Sequence, residues 1–273
     1  MEFRTKVHIP SYPFSIEPLE EILFVGSCFA DSIGSRFKEE RFPVVVNPYG
    51  VMYNPVSVLH TVMRTDAKPR VAFLTLGTNH VYRLKETGEI VDNCQKRPQR
   101  LFQEEELSVQ QCVDALQQVV DELSARRSDV QVVLTVSPIR YQKYGFHESQ
   151  LSKATLLLAV HELVARNPGV AFYFPAYEIV LDELRDYRFY QPDMIHPSAQ
   201  AVEYIWEKLV ETLFSDSAKQ FLREWKPIKE ALGHRPFHPE SDTYREFLEK
   251  AQQQERELLA RYQDNRQNET IKE

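Results

Sequence analysis

Apolar positions along this chain follow two rhythms that alternate from one end to the other. Five short runs, Ile22–Val25, Phe42–Val46, Val71–Leu76, Val130–Val136 and Val170–Phe174, have the length and β-branched character of buried strands. Between them apolar residues recur at helical spacing. Asp31–Glu39 carries Ile33 and Phe37, and Val51–Thr65 carries Val56, Leu59 and Val62 after the start signal Asn54-Pro55. Glu105–Arg126 carries Leu116, Val119, Val120 and Leu123; Ser152–Asn167 carries Leu156, Leu157, Val160 and Val164; Ala199–Phe214 completes the series. Short apolar strands alternating with amphipathic helices predict an α/β fold, a three-layer α/β/α sandwich around a five-stranded parallel sheet of flavodoxin-like layout.

The rest of the pattern organises around that core. Residues 1–19, with prolines at 10, 13 and 18, read as an irregular lead-in to a domain over residues 20–240. Val81–Leu84 and Ile90-Val91 suggest a hairpin across Glu86-Thr87-Gly88-Glu89, followed by a polar connection over Asp92–Glu104. Tyr187, Phe189 and Tyr190 read as core beneath the loop that follows them. Beyond the turn-rich stretch Gly233–Pro239, residues 241–273 form a C-terminal helical extension with frayed last turns. Its helix, Ser241–Gln267, is charged and sparsely apolar, fit to pack along the domain or to join a homo-oligomer.

Composition narrows the function classes. Hydrophobic residues make up 42% and charged residues 27% of 273 residues, as in an ordinary globular chain. A net charge of −7 and a pI near 5.7 argue against a nucleic-acid partner. No apolar run approaches the roughly 20 residues of a membrane span, and the N-terminus lacks the apolar centre of a signal peptide. Cys28, Cys94 and Cys112 show no paired metal spacing, and His147, His234 and His238 add none. Reduced thiols, a cytoplasmic location, and no metal or cofactor are the expectation.

The chemistry centres on Glu20–Ala30, EEILFVGSCFA. A buried strand that turns on Gly26 into a helix presents the next side chains, Ser27 and Cys28, at the mouth of the sheet. The helix N-terminus there favours developing negative charge. Far along the chain, Asp193 and His196 stand three apart before a helix. A carboxylate at that spacing can accept the imidazole Nδ1–H and leave Nε2 free to take a proton. Ligands of such sheets bind beyond the carboxyl ends of the strands, where Asn47, Gly50, Asn79, Ser137 and Arg140 also fall. Arg140 could hold a substrate carboxylate or phosphate. A nucleotide site is disfavoured because Gly26 stands without a phosphate-cradling glycine pattern.

The run Gly26-Ser27-Cys28-Phe29-Ala30 resembles the signature of the GSCFA family. Asn47-Pro48-Tyr49-Gly50, Tyr53-Asn54-Pro55, Gly77-Thr78, Asn93-Cys94 with Lys96, Ser137-Pro138-Ile139-Arg140, and Asp193 with His196-Pro197 follow in order over roughly residues 20–240. That family looks like a branch of the SGNH/GDSL hydrolases. The resemblance implies an esterase, acyl hydrolase or acyltransferase acting on an acylated small molecule or carbohydrate. Carried over by position, it makes His196 the base, Asp193 its orienter, and Gly50 and Asn79 the oxyanion-hole donors, although His80 stands where an aspartate is expected. Gly-Asp-Ser becomes Gly26-Ser27-Cys28, so register favours Cys28 as nucleophile, while the superfamily's usual chemistry favours Ser27. Asn47, Ser137 and Arg140 are left as substrate-binding candidates. The competing expectation is a non-catalytic binding or assembly protein on the same fold.

Overall fold

The computed structural model describes residues 1, 3–92, 94 and 97–270. Asn93, Gln95 and Lys96 lie outside the described residues, as do 2 and 271–273. The chain runs β1 (Ile22–Gly26), α1 (Cys28–Glu39), β2 (Val44–Val46), α2 (Pro55–Arg64), β3 (Val71–Leu76), β4 (His80–Leu84), β5 (Ile90–Val91), β6 (Phe102–Glu106), α3 (Val109–Arg126), β7 (Gln131–Val136), α4 (Phe146–Arg166) and β8 (Ala171–Tyr173). It ends with α5 (Ala176–Glu178), α6 (Ala199–Leu213), α7 (Asp216–Gly233) and α8 (Asp242–Thr270).

Five strands form one parallel sheet in the order β2-β1-β3-β7-β8. The order reverses between β1 and β3, so the crevice beyond their carboxyl ends is where such sheets bind ligands. Each central strand is buried on both faces, which explains its unbroken apolar run. One face packs on α1, α6 and α7, with Phe24 stacked on Phe73 at 4.6 Å and Phe37 against Trp206. The other face packs on α2, α3 and α4. Among the described residues no helix is long and apolar enough to cross a membrane.

Caps decide where several helices start. Ser27 accepts from Phe29 N–H at the start of α1, and Asn54 accepts from Ser57 N–H before Pro55 opens α2. Ser108 and Gln111 form a capping box, so α3 begins at Val109 rather than at Glu105. The residues thus freed, Phe102–Glu106, pair antiparallel with β4. With β5 they complete a three-stranded sheet, β5-β4-β6, where the pattern suggested a polar connection. Three successive glutamates are poor strand formers; here Arg83 pairs Glu105 and Lys143 pairs Glu104, supplying the missing favourable contacts.

The two ends of the chain lie on the α1/α6 side. Ile16 is fully buried and its N–H donates to Leu213 O, and the Tyr12 hydroxyl donates to Tyr173 O. Helix α8 packs along its own domain: Ala251, Leu258 and Tyr262 are buried, Tyr262 meets Phe221 at 5.0 Å, and Arg41 pairs Glu255 at 2.6 Å.

Candidate active site

Strand β1 ends at Gly26, whose φ of +149° and closeness to β3 admit no side chain: a Cβ there would lie 2.1 Å from Thr75 O. This tight turn sets Ser27 at the cap position and Cys28 at the first position of α1. Ser27 is 1% exposed. Its hydroxyl donates to Ser137 Oγ at 2.9 Å, lies 3.2 Å from Thr75 Oγ1 and accepts from Phe29 N–H. Cys28 is half-buried, with Sγ 3.5 Å from the Tyr53 hydroxyl. As the first residue of the helix its N–H has no acceptor within the helix.

The turn is braced from below. Asn47, at φ +41°, accepts from Gly26 N–H at 2.8 Å and donates its amide to Asp31 at 2.7 Å. Ser137 is fully buried and accepts from both Ser27 and Ile139 N–H. Both side chains, expected from the sequence to bind substrate, are here engaged in holding the Ser27–Cys28 turn. Gly50 N–H donates to Asn47 O at 2.9 Å within its own turn. Asn79 is buried, donates its amide to Leu107 O at 2.8 Å, and leaves Oδ1 without a partner. The Gly50 N–H is thus taken up within its own turn, and the Asn79 amide is engaged with Leu107 O.

Tyr53 sets its hydroxyl by the thiol. Its carbonyl accepts from Gly77 N–H and Thr78 N–H at 2.7 and 2.9 Å. Gly77 lets the ring lie close, since a Cβ would sit 3.1 Å from it. Burial, reinforced by the bond to Cys28, pushes the phenol pKa up, so the hydroxyl stays protonated and can donate.

Asp193 and His196 are brought together as the spacing predicted. His196 Nδ1 is 2.7 Å from Asp193 Oδ2, and Asp193 Oδ1 accepts from Ile195 N–H and His196 N–H. Those backbone donors, with the imidazole, hold the carboxyl down to about 2. The loop is anchored to the sheet by Arg140, whose N–H donates to Ile195 O and whose Nη1 donates to Met194 O. Through Ser137 the same β7 exit is bonded to the Ser27 turn, so both halves of the site hang on one rim. Among the described residues no hydrogen bond joins His196 to Ser27 or Cys28, and no three His, Cys, Asp or Glu side chains gather as a metal site.

Tyr187 departs from its expected core position: it is 66% exposed, while Phe189 packs on the core and Tyr190 is half-buried. Lys153 on α4 was not anticipated. It is 2% exposed and donates to Gly77 O at 2.6 Å and Ser137 O at 2.8 Å, tying the exits of β3 and β7. A lysine in register with Leu156, Leu157 and Val160 was the available signal. Burial lowers its pKa to about 7, against about 10.4 in an open chain. Between those values the unfolded chain holds a proton the folded one has released, so stability rises with pH across that window. Relative to Lys153→Met, the wild type is expected to gain on the order of 4 kcal/mol between pH 7 and 10. Urea unfolding of both proteins at pH 7 and 9.5 checks this; an equal difference at both values would mean the buried amine stays charged.

The chain matches the model of the GSCFA family over residues 21–69 and 63–209, and that of the GSCFA domain protein C-terminal domain over residues 225–273. Among solved structures it is similar to a candidate platelet activating factor from Streptococcus pneumonia, with a TM-score of 0.50 and 16% identity over 73% of this chain and 85% of that one. It is also similar to a candidate GDSL-like lipase from Parabacteroides merdae, with a TM-score of 0.50 and 13% identity over 75% of this chain and 99% of that one. At such identities the likeness is one of fold. No curated protein matches the chain by sequence.

Proposed function

The chain belongs to the GSCFA family on a fold shared with a candidate GDSL-like lipase, and from that premise we propose that it is an acyl hydrolase or acyltransferase with Cys28 as nucleophile. The observation that carries the reading is the Asp193–His196 pair, bonded at 2.7 Å on the rim where Cys28 opens α1. With Nδ1–H donated to Asp193, His196 Nε2 is the basic nitrogen. It takes the thiol proton of Cys28, and the thiolate attacks the ester carbonyl. In this reading Cys28 N–H and the Tyr53 hydroxyl, 3.5 Å from the thiol, stabilise the oxyanion, in the role the sequence had assigned to Gly50 and Asn79. Collapse expels the alcohol, protonated by His196, and leaves a Cys28 thioester. Water, activated by the same imidazole, releases the acid; an acceptor hydroxyl in its place makes the reaction a transfer. The substrate is an acylated small molecule or carbohydrate.

Ser27 is the weaker nucleophile on this geometry, because its hydroxyl is buried and caps α1. A second reading, binding without turnover, draws on the lack of a hydrogen bond between His196 and Cys28. Catalytic hydrogen bonds are often loose before substrate arrives. Iodoacetamide labelling with peptide mapping separates the readings: Cys28 is expected to react faster than Cys94 and Cys112, and its alkylation to abolish p-nitrophenyl ester hydrolysis. Hydrolysis that survives full alkylation of Cys28, or fluorophosphonate labelling of Ser27, would sink the cysteine assignment.

A further inference from the structure

Arg140 leaves β7 beside the Asp193–His196 loop and reaches into a cavity of about 260 Å³. Tyr187, Tyr190 and Leu181 form part of its wall. The guanidinium lies 4.0 Å over the ring of Phe146, with the rings of Tyr190 and Tyr187 at 5.6 and 5.8 Å. Of its five N–H donors, one bonds Met194 O. Among the described residues no carboxylate pairs with it. Asp186, which also lines the cavity, is held by the backbone and side chain of Arg188, and Arg185 faces Asp182 at 3.7 Å.

An arginine is charged at every working pH, and a half-buried one without a counter-ion draws an anion toward its free edge. Aromatic rings around it fit a flat or apolar body next to that charge. We propose that this cavity binds the anionic end of the substrate, a carboxylate or phosphate monoester carried on a planar or apolar body. Its place in a reaction rests on the acyl-transfer reading, whereas binding as such does not. Arg140 would then serve twice, orienting the substrate and holding the loop that carries His196.

Calorimetric titration of the full chain with benzoate, phenyl phosphate and neutral benzamide tests this without turnover. At least one anion is expected to bind about tenfold or more tightly than benzamide, and whichever binds tighter names the anion. Arg140→Gln is expected to remove that advantage. Tyr187→Ala, at an exposed position that leaves the Met194 contact intact, is expected to weaken the anion severalfold. Benzamide binding as well as the anions, no binding by any of the three, or unchanged anion affinity in Arg140→Gln would overturn the proposal. Cys28→Ala is expected to bind the anion as the wild type does, and ester hydrolysis undiminished in that variant would sink the cysteine reading while leaving anion binding at Arg140 standing, so the two fail separately.

Discussion

His196→Ala is expected to lower kcat for p-nitrophenyl ester hydrolysis by about 10²–10⁴-fold while leaving the fold intact, since a positioned general base contributes that much. The side chain is half-exposed and, among the described residues, its ring bonds Asp193 alone, so removing it opens no cavity and strands no buried donor. Asp193→Asn is expected to act in the same direction by losing the acceptor that selects the Nδ1–H tautomer. It also weakens the turn, because Oδ1 holds both Ile195 N–H and His196 N–H. The pH profile adds a check. With its carboxyl held down to about 2, Asp193 is ionised throughout the range above, so an acid limb between pH 4 and 7 belongs to another group. Rates in His196→Ala equal to wild type, with circular dichroism unchanged, would remove the general-base role.

Gly26→Ala is expected to be the most damaging single methyl in the chain. The new Cβ would lie 2.1 Å from Thr75 O and 2.4 Å from Thr75 Oγ1, and the backbone would keep a φ of +149°. Moving away breaks the β1–β3 pairing of Gly26 with Thr75, the bond from Ser27 N–H to Thr75 O at 3.0 Å, and the Asn47 brace. Overpacking and backbone strain each cost about 1–3 kcal/mol, against a total stability of about 5–15 kcal/mol for a typical domain. A fall of several kcal/mol in urea unfolding, or insoluble expression, is the expected result. Gly50→Ala is the matched control, since its Cβ would meet open space at a comparable positive φ of +93°. Equal, small losses in both would show that the close approach to Thr75 gives way without harm.

Hydrophobic rhythm alone determined the layers of this protein. Each run of the parallel sheet is short, apolar and bounded by turns, because a strand buried on both faces tolerates little else. The Asp193–His196 contact was equally legible, since three residues before a helix bring a carboxylate and an imidazole together by local geometry. Position within GSCFA also pointed to two adjacent nucleophiles, and no local pattern could choose between them. Our proposal of Cys28 rests on three strand ends meeting at one point: Thr75 and Ser137 enclose the Ser27 hydroxyl, while Tyr53 stands by the Cys28 thiol. The engagement of Asn79 by Leu107, the pairing of β6 with β4, and the buried amine of Lys153 are of the same kind. Each depends on partners dozens of residues away, and a hydrogen bond has no signature in a sequence until folding brings its two ends together.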